Sequence, residues 1–187
     1  SQWQLVLGSP VRSRPAYLMG EMGLRLARIT DDGPEMIQPY TRDMEARIQA
    51  VNESHFYKLI NEMCAEFKPQ SMLFYGHWLD FVPMEECAEK FIQYISVLRK
   101  NNTVFKFDYD NGRLTVYPAL LNKGLPLAEV YRLNGISPSE TVVAGDDFPD
   151  LCMMSRDLAF SAVCPGNAHP EVKKHVRSMD GEVGEAE

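Results

Sequence analysis

Residues 141–154, TVVAGDDFPDLCMM, decide how the rest of the chain is read. Thr141 to Ala144 form an apolar run with β-branched residues, as a buried strand requires. Gly145 ends the run with a residue that tolerates a sharp turn of either backbone hand. Asp146, Asp147 and Asp150 follow at once, and Leu151, Cys152, Met153 and Met154 read as the start of a packed helix. The acids therefore cluster where a strand of an open α/β sheet would end, which is where such sheets bind their ligands. Carboxylates this close repel one another unless a cation lies between them. Mg²⁺ suits the place, because it works with one or two carboxylates plus substrate phosphate. The same stretch also permits a plainer reading, a polar turn whose Asp residues cap a helix.

The totals bound what surrounds this stretch. The 187 residues suffice for one larger domain or two small ones, and 45% of them are hydrophobic, so a real core can form. A net charge of −7 argues against nucleic acid as a partner, while leaving an anionic substrate open. Cys64, Cys87, Cys152 and Cys164 are far apart, without Cys-x-x-Cys spacing or a matching His set. Buried reduced thiols fit them better than zinc or disulfides. No apolar run reaches membrane-span length and no signal-peptide pattern is present, so the expectation is a cytoplasmic protein with no membrane partner.

Towards the N-terminus, residues 3–8 read as a short buried strand, followed by Ser9, Arg12 and Arg14. A hydroxyl and guanidinium groups after a strand suit phosphate oxygens, and equally suit a solvated loop. Residues 15–27 read as a helix with Leu18, Met19, Met22 and Leu26 on one side, and residues 29–35 are turn-rich, as at a domain boundary. Residues 41–67 carry helical spacing, residues 71–83 read as two short strands about Gly76-His77, and residues 84–100 are helical again. The inner stripe of that second helix is Ala88, Phe91, Ile92, Ile95 and Leu98. Residues 102–109 and 113–118 are strands joined at Asp110-Asn111-Gly112, a strong hairpin signal. A helix at 125–133 ends at Asn134-Gly135, an apolar strand covers 158–163, and Pro170 opens the last helix. Residues 180–187 are acidic without an apolar face, and are expected to fray. Together these elements predict an α/β fold: a Rossmann-like parallel-sheet core at 1–35 and 119–187, incomplete at its N-terminus, with an inserted α+β unit on an antiparallel sheet at 36–118.

Lys123 stands 23 residues before Asp146, where a loop enters a helix. A Lys there can neutralise phosphate charge beside the helix N-terminus, or simply be one more surface Lys. Asn122-Lys123-Gly124, the run from Gly145 to Met153, and Pro165-Gly-Asn167-Ala168-His-Pro-Glu-Val-Lys173 together resemble the C-terminal half of a haloacid dehalogenase-like hydrolase. The likeness is to the Cof-type and sucrose-phosphatase-like branch with an inserted type II cap, and covers roughly residues 5–176. It implies that Asp146 is a direct Mg²⁺ ligand and that Asp150 helps hold both metal and Lys123. It implies phosphate binding by Lys123, Ser9 and Arg12, and a late site-lining Asn at Asn167. The implied reaction is phosphoryl transfer from a small phosphorylated metabolite, such as a sugar phosphate, to an Asp nucleophile, followed by hydrolysis. The cap would choose the substrate, with Tyr75, His77 and Trp78 as candidate contacts, although cap core or surface suits those three residues better.

Two departures from the family pattern stand out. Pro149 occupies a position where the family has Asn. The family's Asp-x-Asp nucleophile motif belongs on a strand ahead of Ser9, and Asp108-Tyr109-Asp110 falls in the wrong order and runs into a hairpin turn. The chain is therefore expected to lack its nucleophile strand, to turn over little substrate alone, and to associate with itself through the exposed edge of the core sheet. The alternative expectation is a non-catalytic binding or regulatory domain of the same family.

Overall fold

The computed structural model describes residues 16–185; Ser9, Arg12 and the strand expected at 3–8 lie outside the described residues. The chain divides into two compact units, the first running to Arg42 and resuming at Asn122, the second being Asp43–Leu121.

The first unit opens with three antiparallel strands, β1 (Ala16–Gly20), β2 (Arg25–Thr30) and β3 (Gly33–Met36), in the order β1-β2-β3. This replaces the helix expected at 15–27. Glu21, Met22 and Gly23 all have positive φ (53°, 59° and 93°), which breaks a helix and folds β1 back onto β2. β2 then buries Leu26, Ala27 and Ile29 and leaves Arg28 exposed. The first turn of the next helix, α1 (Gln38–Val51), is tied to this sheet. The Tyr40 hydroxyl donates to the Gly23 carbonyl at 2.6 Å, and the Thr41 hydroxyl oxygen accepts from the Leu26 amide at 3.4 Å. Those bonds carry the unit boundary to 42/43, past the turn-rich segment at 29–35.

After Asn122 the first unit resumes with α4 (Gly124–Asn134), β8 (Val142–Ala144), β9 (Ser161–Cys164), α5 (Pro170–Ser178) and β10 (Glu182–Val183). The three strands form a parallel sheet in the order β10-β9-β8. Its core gathers Val143, Met153, Met154, Ala162, Cys164, Val172 and Val176. Two expectations are corrected here. Residues 151–154 form turns, not a helix: the His175 imidazole binds the Met154 carbonyl, and both methionines drop into the core. The tail does not fray at once, because Glu182 and Val183 pair in parallel with Val163 and Cys164.

The second unit takes most of α1, a single π turn (Asn52–Phe56), α2 (Tyr57–Phe67), β4 (Pro69–Phe74), β5 (Leu79–Pro83), α3 (Ala88–Asn101), β6 (Phe105–Asp110) and β7 (Arg113–Pro118). Its sheet is antiparallel, in the order β4-β5-β7-β6. Phe56, Leu59, Met63 and Phe67 from the first helical run, and Phe91 and Ile95 from α3, pack on Leu79, Phe81, Phe105, Phe107, Leu114 and Val116 from the strands. Ile92, placed in the inner stripe by its spacing, is instead 48% exposed. The β6–β7 turn puts Asn111 and Gly112 at φ 48° and 79°, as an Asn-Gly hairpin requires. Asp108 accepts from the Tyr117 hydroxyl at 2.8 Å and Asp110 from the Asn111 side-chain Nδ2 at 2.8 Å, so this Asp-x-Asp is occupied in building a hairpin.

Candidate functional site

The site is assembled around Asp150, and two glycines make its seat. A Cβ added at Gly145 would stand 2.3 Å from the Asp150 Cβ and 2.8 Å from its Oδ2. One added at Gly124 would stand 2.8 Å from the Cys152 carbonyl oxygen and 2.9 Å from a Leu158 methyl. Only glycine at both positions lets the end of β8 and the start of α4 close on the acidic segment. Asn122 caps α4, its side-chain oxygen accepting the Gly124 amide at 2.7 Å. Lys123 is thereby set beside Asp150.

Asp150 is 6% exposed, and both its oxygens are engaged. Lys123 Nζ donates to Oδ1 at 2.6 Å, while the amides of Asp146 and Asp147 donate to Oδ2 at 3.1 and 3.3 Å. Burial pushes the Asp150 pKa up. The Lys123 hydrogen bond, the Asp146 amide, the Lys123 charge and the Asp147 amide outweigh it and hold the carboxyl below its ordinary range. The Lys123 side chain is still 34% exposed, so solvent reaches it.

The three acids of the run are engaged differently. Asp147 is the cap: its carboxylate accepts from the Phe148 amide at 2.7 Å and forms a capping box with Asp150 around the single 3-10 turn Phe148–Asp150. Asp146 is held by its main chain only. Its amide binds Asp150, and its carbonyl accepts from the His169 amide at 2.9 Å. Its carboxylate is exposed and binds no other described residue.

Asn167 sits on the loop between β9 and α5, the loop that the His169 amide ties to Asp146. Its side chain is exposed and bonds to no other described residue. The structure thus joins Lys123, Asp146 and Asp150 directly, and brings in only the loop of Asn167. Sequence reasoning placed Asn122, Phe148 and His169 within the quoted motifs and gave none of them a role of its own. The Phe148 ring lies on the His169 ring, centroids 4.1 Å apart, and His169 Nδ1 accepts the Glu171 amide to cap α5. Asn122 carried a usable signal, a capping residue just before a helix start; the ring pair joins two distant loops and had none. Of the three candidate substrate contacts, all in the second unit, Tyr75 and Trp78 pack edge-to-face at 5.1 Å and His77 packs on Trp78 at 5.3 Å.

Among the described residues no three His, Cys, Asp or Glu side chains gather into a metal-ligating cluster. Asp146 fits a hard divalent ion that takes a single carboxylate and fills its shell with water and phosphate oxygens. Asp150, expected to help hold both metal and Lys123, accepts from Lys123 at Oδ1 and from the Asp146 and Asp147 amides at Oδ2.

Residues 36–180 match the sequence model of the haloacid dehalogenase-like hydrolases. No curated protein matches the sequence. Similar solved structures include the sucrose-phosphatase of Synechocystis sp. PCC6803 in complex with sucrose and phosphate (17% identity, TM-score 0.58, 92% of this chain and 67% of that one). A second is the haloacid dehalogenase-like protein yhjK of Bacillus subtilis (13%, TM-score 0.53, 86% and 61%). A third is Thermoplasma acidophilum 0175 (18%, TM-score 0.50, 70% and 54%). At these identities the likeness is one of fold, and this chain spans between 54% and 67% of their lengths.

Proposed function

The chain belongs to the haloacid dehalogenase-like hydrolase family, and from that premise we propose that it carries magnesium- and phosphate-binding residues of a phosphatase for small phosphorylated metabolites, with sugar phosphates as the preferred class. One observation carries the reading: Lys123 and Asp146 are positioned by the same buried carboxylate, Asp150. A partly exposed lysine and an exposed aspartate, brought from two loops to one buried carboxylate, suit a phosphate dianion with its counter-cation.

In this reading Asp146 holds Mg²⁺, and the ion, when bound, neutralises charge on the phosphoryl group. Lys123, aimed by its hydrogen bond to Asp150, neutralises a phosphate oxygen. Asn167, Ser9 and Arg12 are proposed as further phosphate or substrate contacts, and the second unit as the selector of the alcohol part. The reaction also needs an attacking carboxylate. Asp150 is buried and doubly engaged, and the one Asp-x-Asp of the sequence, Asp108 to Asp110, builds a hairpin. These 187 residues alone are therefore expected to hydrolyse phosphate esters poorly.

A second reading, a domain that binds phosphate and Mg²⁺ without turnover, is favoured by that hairpin and by Pro149 within the 3-10 turn. The test is Mg²⁺-dependent phosphate release from p-nitrophenyl phosphate and a panel of sugar phosphates. It is run on this chain and on the chain with whatever sequence its gene adds. Turnover by the longer form that is lost on Asp146→Asn supports the phosphatase. Silence from both, with phosphate still bound in the presence of Mg²⁺, supports the binding domain. No Mg²⁺-dependent phosphate binding by either would overturn both readings.

A further inference from the structure

The strand β4 lies at the end of its sheet, and among the described residues no element pairs with its outer side. Gln70 to Phe74 are all exposed, and the residues around them are unusually apolar for an edge. Met72 is 41% exposed, Leu73 56%, Phe74 38% and Tyr75 49%, and Tyr57, whose ring packs edge-to-face on Phe74 at 6.0 Å, is 48% exposed. Between Lys68 and Asp80 no residue carries a formal charge. Edge strands usually defend themselves with Lys, Pro or a bulge. Here Pro69 and the irregularity between Pro69 and Ser71 guard only the first residues.

The register fixes which backbone groups remain open. The Tyr75 amide donates to the Trp78 carbonyl at 3.0 Å, and Leu73 pairs with Asp80 and Ser71 with Val82. Residues 71, 73 and 75 therefore turn their amides and carbonyls towards β5, and Met72 and Phe74 turn theirs outward. This short open edge is self-complementary. With a two-fold axis through Leu73, Met72 meets Phe74 of the second copy in a hydrogen-bonded pair, Leu73 meets Leu73, and Ser71 meets Tyr75. No like charges face one another. The five exposed side chains, each about half of the roughly 150–250 Å² of a large side chain, would bury about 400–600 Å² per copy. That is the low end of specific interfaces and implies a weak dimer.

We propose that β4 pairs antiparallel with β4 of a second copy of this chain, through the outward backbone groups of Met72 and Phe74 and an apolar patch centred on Leu73. The pairing extends the sheet of the second unit from four strands to eight. It is distinct from the core-sheet edge at which self-association was expected from sequence.

Sedimentation velocity across about 10–500 µM tests it, because a weak interface of this size dissociates within that range. The expected result is a rise from monomer to dimer with concentration. In parallel, the Met72 and Phe74 amides should exchange with deuterium several-fold more slowly at the high end, while the Leu73 and Tyr75 amides are protected throughout. Leu73→Lys, which sets two ammonium groups face to face, should stay monomeric with an unchanged circular dichroism spectrum. Met72→Pro removes an outward donor and no intrachain one, so it should also stay monomeric. A monomer at every concentration would overturn the proposal, as would a dimer that survives both substitutions. Protection of Met72 and Phe74 already present in a dilute monomer would overturn it too, since that result means the chain covers its own edge.

Discussion

Replacing Asp150 with Asn isolates the interaction on which the candidate site rests. The side chain keeps its volume and one oxygen, which can still accept from the amides of Asp146 and Asp147. Its new NH2 group then faces the Lys123 ammonium, donor against donor. The lost contact is a charge-assisted hydrogen bond of 2.6 Å, worth roughly 1.5–3 kcal/mol. Each amide bond falls from a charged to a neutral acceptor, at about 0.5–1 kcal/mol apiece. Solvent reaches a third of Lys123 and screens part of the total, so a loss of about 2–3 kcal/mol at pH 7 is expected. The folded pKa of Asp150 lies below the ordinary carboxylate value. The contribution is thus complete above the unfolded pKa of about 3.9 and disappears as pH falls through the lower, folded value. Urea denaturation of the wild type and Asp150→Asn should therefore show a gap at pH 7 that narrows below about pH 4 and closes in stronger acid. Equal stability at pH 7, or a gap that persists undiminished in strong acid, would refute the ion-pair account.

Other outcomes follow from the same geometry. Asp146→Asn should abolish Mg²⁺-dependent phosphate binding, read by titration calorimetry, while changing stability by less than about 0.5 kcal/mol, because the carboxylate is exposed and binds no other described residue. Gly145→Ala forces a Cβ into Asp150 and should cost about 1–3 kcal/mol in urea, with Lys123 losing its alignment and phosphate affinity falling with it. Phe91→Ala empties a site that is 0% exposed, where the ring packs on Phe67 at 5.0 Å and Phe81 at 5.3 Å. A loss of about 3–5 kcal/mol from the second unit is expected, followed by near-ultraviolet circular dichroism of its aromatic residues.

Much of this architecture was legible because its signals are local. Asn111-Gly112 declares a hairpin, Gly76-His77 separates two strands, and Gly145 followed by acids declares the end of a strand. The segment 16–30 was not legible. Leu18, Met19, Met22 and Leu26 satisfy helical spacing, and the strands are betrayed only by a turn in which Glu21 and Met22 adopt positive φ, a conformation no pattern in side-chain polarity announces. Residues 182–183 escaped for a different reason. Two residues are too few to show alternation, and their placement depends on Gly181, where a Cβ would fall 1.8 Å from the Ala162 carbonyl oxygen. At the candidate site the residue types were readable and the division of labour was not. That Asp147 caps, Asp150 pairs and the Asp146 carboxylate binds no other described residue follows from which way each carboxylate points across a turn of six residues.

The π turn at Asn52–Phe56 bears on how the first long helix could evolve. Met44, Ile48, Asn52 and Phe56 follow one another at steps of four, and Leu59, Met63 and Phe67 continue at three, four and four. In a regular helix each step of four overshoots a full turn by about 40°, so such a run creeps round the cylinder. The wider turn absorbs that creep and keeps Phe56, Leu59, Met63 and Phe67 over the sheet. Deleting one residue between 52 and 56 would restore an ordinary ladder of backbone bonds, yet it would swing those four side chains by about 100° towards water. The segment should accordingly tolerate substitution far better than any change in its length.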